Sequence, residues 1–112
     1  MKAIATISLN EDCSFDRARA LTRMIRNQMG RLLKTKEIKG LGNIEKTANS
    51  MTHIHLLLEM THAQFDSFKL IFDDVCKYYS KLYQGHFETC ISEEGYLHYI
   101  GKLNHTDNHC DW

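Results

Sequence analysis

No stretch of this 112-residue chain is apolar for long enough to cross a membrane, and its opening, MKAIATISLNED, lacks the extended apolar core of a secretory signal. Neither a membrane partner nor secretion is expected. Proline is absent, there is no repeat and no low-complexity segment, and residues 1–112 read as one domain with a modest single core. Cysteine is limited to Cys13, Cys76, Cys90 and Cys110, widely scattered and without a C-x-x-C pair. That pattern argues against a disulfide framework and for reduced thiols in an intracellular protein. Net charge is zero, which hides two unlike parts. Phe15 to Lys46 carries nine Lys or Arg against three Asp or Glu, and the remainder carries five against eleven. The basic part suits either a polyanion or a helix whose charges are merely solvated.

Hydrophobic periodicity supplies the elements. KAIATISL (Lys2 to Leu9) reads as an opening strand. Phe15, Ala18, Leu21, Ile25, Met29 and Leu32 form a helical stripe, predicting a helix from Phe15 to about Lys36. Ile38 to Lys46 follows as a glycine-bearing strand with Glu45 on the face opposite Ile38 and Ile44. MTHIHLLLEM, Met51 to Met60, is a third strand. Thr61 and Gln64 form a capping box that opens a second helix, with a stripe through Phe65, Phe68, Phe72, Val75, Tyr79 and Leu82 and an end at Gly85. His86 to Ser92 alternates as a fourth strand, EEGYLHYIGKL reads as a short last helix, and residues 104–112 read as a mobile tail. This β-α-β-β-α-β order predicts an α+β fold, an antiparallel ferredoxin-like or RRM-like sheet with both long helices on one face. Strands one and three are then central, and the last helix is available to the uncovered face.

That face carries the chemistry. Along the third strand, Ile54, Leu56 and Leu58 supply an apolar side, whereas His53 and His55 share the other. A hairpin turn centred on Asn49 sets Glu45 opposite His53. Two imidazoles and a carboxylate suit a divalent ion such as Mn²⁺ or Mg²⁺ with positions left for substrate oxygen. Alone, a His-x-His pair is more often two exposed strand residues, and the carboxylate is what raises the metal reading. The tail offers His105, His109 and Cys110 as a competing set, with no fourth ligand evident beside them. In the last helix, Tyr96, Tyr99 and Lys102 recur every three residues on one face. The tyrosines either pack as core residues or present a phenol as a nucleophile, helped by a cation or a metal-bound phosphate.

Ile7 to Asn10 (ISLN), His53-Ile54-His55 and Tyr99-Ile100-Gly101-Lys102, in this order, resemble the three motifs of the nicking domain of rolling-circle replication initiators, the Rep proteins of the HUH endonuclease superfamily. The resemblance spans almost the whole chain, and Glu45 matches the acid that such domains carry upstream of the histidine pair. It implies a metal-dependent, site-specific single-strand DNA endonuclease that nicks and rejoins strands through a 5′-phosphotyrosine. Glu45, His53 and His55 would hold Mn²⁺ or Mg²⁺, Tyr99 would be the nucleophile with Tyr96 the alternative, and Lys102 would assist. Arg17, Arg19, Arg23, Arg26 and Arg31 are the expected DNA contacts. The implied partner is single-stranded DNA at a viral or plasmid origin, with a helicase domain or host replication proteins, in the cytoplasm where the host is prokaryotic. A single-strand transposase or plasmid relaxase of the same superfamily shares this chemistry. A non-catalytic ferredoxin-like nucleic-acid binder is the rival from another class, and would need stacking aromatics where this chain has Ile4, Thr6, His53 and His55.

Overall fold

β1 (Lys2–Leu9) alternates along its whole length. Ala3, Ala5, Ile7 and Leu9 are buried, while Lys2, Ile4, Thr6 and Ser8 point the other way and stay partly exposed. A computed structural model describes residues 1–34, 38–46, 51–90, 92, 94–95 and 108–112 of the chain. α1 (Phe15–Leu33) starts where the Ser14 hydroxyl accepts the Arg17 N–H at 3.1 Å, with Asp16 in the first turn to complement the helix dipole. It stops at Lys34, which adopts the left-handed conformation at φ 56°, slightly short of the expected end. β2 (Lys39–Lys46) and β3 (Thr52–Glu59) follow. α2 (His62–Tyr78) opens on the expected capping box. The Gln64 N–H donates to Thr61 Oγ1 at 3.1 Å, and the Thr61 N–H donates to Gln64 Oε1 at 2.8 Å. β4 (Tyr83–Thr89) and β5 (His109–Asp111) complete the described elements.

The strands form one sheet in the order β4-β1-β3-β2-β5, every neighbouring pair antiparallel. β1 and β3 are central as expected, and Glu45 faces His53 across the hairpin. One side of the sheet, built from Ala5, Ile7, Ile44, Ile54, Leu56 and Phe87, packs in a single core with Leu21, Ile25 and Met29 of α1 and Phe68, Phe72 and Val75 of α2. Both helices therefore cover one face, an arrangement compatible with the ferredoxin-like pattern. No helix among the described residues is long and apolar enough to span a membrane.

Three expectations need correction. The second helix ends at Tyr78, and Gly85 lies inside β4 rather than at a helix stop. The helical stripe continues on paper through Tyr79 and Leu82, but Tyr83 is the residue that is fully buried, while Leu82 is exposed. A Cβ on Gly85 would stand 2.7 Å from Phe72 Cζ and collide with Cys76 Sγ, so glycine here admits α2 against the strand. β4 accordingly begins and ends earlier than His86 to Ser92. The third correction concerns the C-terminal residues, where His109–Asp111 pair with β2 instead of trailing as a tail. Ile44 and Asn108 exchange two hydrogen bonds, at 2.8 and 3.1 Å, and the Trp112 N–H donates to the Gly40 carbonyl at 3.2 Å. Asn108, Cys110 and Trp112 are buried and His109 and Asp111 exposed, the period of a half-covered strand. All four cysteines are free thiols.

Burial pushes the Cys76 thiol up to about 11, with the Asp73 carboxylate adding to the shift, and it also raises the Tyr83 phenol and the Cys110 thiol. The Tyr83 hydroxyl has no hydrogen-bond partner among the described residues. These groups keep their protons in the folded chain over a range where the unfolded chain loses them. The Cys76 contribution is thus fully present below the ordinary thiol value of 9.0 and is lost as pH rises through about 11, and the raised Tyr83 phenol extends the decline from its ordinary value of 10.0 upward. Urea midpoints should hold level from neutral pH upward and then decline through this alkaline window. A midpoint that stayed level to the top of the window would contradict the burial of these side chains.

Candidate metal centre

The centre is built by a local hairpin. β2 and β3 pair so that Glu45 lies opposite His53 and Asn43 opposite His55, all four on the face that the helices leave uncovered. The two histidines are successive same-side residues of β3, their ring centroids 6.2 Å apart and their planes inclined at 73°. Glu45 Oε1 lies between them. It is 3.0 Å from His55 Nε2 and 3.9 Å from His53 Nδ1. One donor atom from each of the three residues falls within a sphere of mutual distances no larger than 4.8 Å. With metal–donor bonds of about 2.1 Å, adjacent ligands of an octahedral ion stand roughly 3 Å apart and opposite ones roughly 4.2 Å. The three donors could therefore hold a metal ion once the widest pair closes by roughly half an ångström, and a mixture of imidazole nitrogen with carboxylate oxygen is one that first-row divalent ions accept.

Burial is graded across the site. The His55 side chain is 9% exposed, against 30% for His53 and 26% for Glu45, so the cluster has a closed side and an open one. An ion held here would have its remaining coordination positions toward the more exposed side. An imidazole must be neutral to bind a metal, so acidification is expected to weaken binding. The register also places Ser8 beside His53 and Thr6 beside His55, giving the site two hydroxyl neighbours from β1 that the sequence pattern did not single out. Their signal was present in the alternation of KAIATISL, but which strand lies beside β3 is a tertiary fact. Of ISLN, Ile7 and Leu9 belong to the core. Asn10 Nδ2 donates to the Ser80 carbonyl at 3.0 Å, holding the α2–β4 turn.

Gly42 ties the fold to this site. A Cβ there would collide with the His55 carbonyl oxygen and lie 3.0 Å from Leu56 Cα, so β2 can run beside β3 only with glycine at this position. Because the obstacle is backbone, Gly42→Ala should destabilise the protein by about 1–3 kcal/mol and shift the strand that carries His55. A lowered urea midpoint accompanied by weaker Mn²⁺ binding is the expected pair of results. Unchanged Mn²⁺ affinity would show that the ligands do not depend on this contact.

Other expected site residues are not brought to the cluster. Arg17, Arg19, Arg23, Arg26 and Arg31 belong to α1, whose buried stripe packs on the opposite face of the sheet. They do not share a surface with Glu45, His53 and His55. The amphipathic pattern of the helix settles that it must pack, whereas the side of the sheet it takes is set by the crossover. Arg19 is tied to Asp16 Oδ1 at 3.1 Å and donates from Nε to the His109 carbonyl at 2.8 Å. His109 and Cys110 project to opposite faces, and Cys110 Sγ contacts Thr22 Oγ1 at 3.5 Å in the core, so they do not converge on a second metal site. His105, Tyr96, Tyr99 and Lys102 lie outside the described residues.

The fold and cluster define a small α+β domain whose five-stranded antiparallel sheet bears a candidate metal site on the face opposite its two helices. No protein-family model matches the chain, and neither a curated protein nor a solved structure matches it.

Proposed function

We propose that this protein is a metal-dependent single-strand DNA endonuclease of the Rep type, nicking and rejoining strands at a replication origin. The observation that carries the reading is the meeting of Glu45, His53 and His55 at one point on the sheet, within 4.8 Å of one another. Glu45, His53 and His55 would hold the ion, and a bound divalent ion supplies Lewis-acid polarisation of the scissile phosphate. The Tyr99 phenol gives up its proton and its oxygen attacks phosphorus. A tyrosyl–phosphorus bond forms as the bond from phosphorus to the 3′ oxygen breaks, and that oxygen leaves protonated as a 3′ hydroxyl. The 5′ phosphate stays on the enzyme as an ester, which a later 3′ hydroxyl can attack to rejoin a strand. Lys102 offsets charge on the phosphate or positions the phenol.

The face opposite the helices also bears on the rival reading. β1 and β3 present Ile4, Thr6, Ser8, His53, His55 and Leu57 there, with no aromatic carbocycle for base stacking of the kind a non-catalytic RNA binder uses. Metal chemistry accounts for the residues that occupy the place of those aromatics. The test is incubation of the protein with labelled single-stranded origin-like DNA and Mn²⁺, followed by a denaturing gel. A covalent protein–DNA band that needs the metal is expected; free nicked product without an adduct would point to direct hydrolysis instead.

A further inference from the structure

On the helix side of the sheet, a cavity of about 570 Å³ opens between the last turns of α1, the start of β2 and Trp112. It lies at the far end of β2 from Glu45, six residues or roughly 20 Å along the strand at about 3.3 Å per residue, and on the other face. Its described lining includes the cations Arg26, Arg31 and Lys39 and no carboxylate. The guanidinium groups of Arg26 and Arg31 make no ion pair or hydrogen bond among the described residues, in contrast to Arg19, which is held by Asp16 and the His109 carbonyl. The cations gathered among the described lining residues repel one another, and an anion relieves that repulsion.

The opposite wall is apolar and fixed in advance. The Trp112 backbone N–H donates to the Gly40 carbonyl at 3.2 Å, and the indole ring centroid lies 5.8 Å from that of Phe68. A Cβ on Gly40 would collide with Leu58 Cδ2 and stand 3.0 Å from Trp112 Cβ, so glycine at this position admits both the leucine and the tryptophan, which lines the cavity with Ile38 and Leu33. Asn27, also on the lining, offers an amide with both a donor and an acceptor. The cavity thus combines two guanidinium forks on its lining, each suited to a phosphate, with an apolar wall edged by an indole and an amide suited to the edge of a base. A fatty carboxylate would leave the amide and much of the positive charge unanswered. The volume falls within the range of about 300–1,000 Å³ usual for small-molecule sites.

We propose that this cavity binds a nucleotide, with its phosphate on Arg26 and Arg31 and its base against the Trp112 wall, taken either as a free mononucleotide or as the end nucleotide of a single strand. This site is independent of the metal centre and of the proposed nicking activity, so failure of one leaves the other standing.

Trp112 is the sole tryptophan of the chain, and its fluorescence therefore reports the cavity directly. The intact protein is titrated with AMP, with a short 5′-phosphorylated single strand, and with adenosine and inorganic phosphate as separate component probes, all with a chelator present to remove divalent ions. A saturable change in Trp112 emission with AMP is expected, weakened about tenfold in the double variant Arg26→Gln, Arg31→Gln, the size of a lost charged contact. Both arginines are exposed on α1, so the variant should retain the fold. Adenosine and phosphate alone should bind more weakly than AMP. A response to the strand but not to AMP, again lost in the double variant, would support the site and assign the nucleotide to DNA. No saturable response to either, undiminished binding in the double variant, or adenosine binding as well as AMP would each overturn it.

Discussion

Replacing His53 and His55 together by alanine is expected to abolish specific divalent-ion binding and, with it, DNA cleavage. Each imidazole supplies one of the three donors that converge among the described residues, so its loss should cost more than the roughly 10–100-fold in affinity typical of a partner that merely orients a ligand. The two single variants should differ in stability. His53 is partly exposed, and His53→Ala should leave stability within about 0.5 kcal/mol of the parent. His55 is nearly buried and meets Glu45 Oε1 at 3.0 Å, so His55→Ala removes the partner of a half-buried carboxylate and should cost about 1–3 kcal/mol. Glu45→Gln completes the set, since it preserves a hydrogen-bond acceptor for His55 while removing the charge an ion requires. If the cluster were only a hydrogen-bonded polar patch, Glu45→Gln would be nearly silent. Mn²⁺ titrations by calorimetry, alongside circular dichroism, separate these outcomes. Full Mn²⁺ affinity in the double alanine variant would remove the cluster from consideration as a metal site.

Tyr99→Phe is expected to eliminate the covalent protein–DNA adduct and to reduce cleavage by roughly 10⁴-fold or more, the usual scale for losing a nucleophile. The change removes one oxygen and leaves the ring, so Mn²⁺ and DNA binding should persist. Tyr96→Phe should retain both adduct and cleavage. In a helix the two phenols would be about 4.5 Å apart along the axis at 1.5 Å rise per residue, and an in-line attack tolerates little displacement. Lys102 would then lie one turn beyond Tyr99 and two beyond Tyr96, leaving a cation within reach of Tyr99 alone. Peptide mapping decides between them. DNA found on Tyr96 would reverse the order of the tyrosines and keep the nicking chemistry, whereas no adduct on either would defeat the proposed reaction itself.

Features of this protein that depend on residues close together in the chain were legible in its sequence. The alternation of KAIATISL and MTHIHLLLE, the Thr61–Gln64 capping box and the meeting of Glu45 with His53 across a short hairpin all follow from period, cap chemistry and a local turn. The candidate metal cluster belongs to this group, because its three residues span only eleven positions, Glu45 to His55. Where α2 ends could not be read in the same way. Tyr79 to Gly85 satisfies a helical stripe as well as a strand, and the choice falls to the packing of Tyr83 and the approach of Phe72 to Gly85. The fifth strand is likewise a tertiary outcome, since the strand it pairs with, β2, lies more than sixty residues earlier. Only the folded chain decides that the arginines of α1 lie across the sheet from the histidines. Helical periodicity fixes which side of α1 is buried, and carries no information about which side of a sheet will bury it.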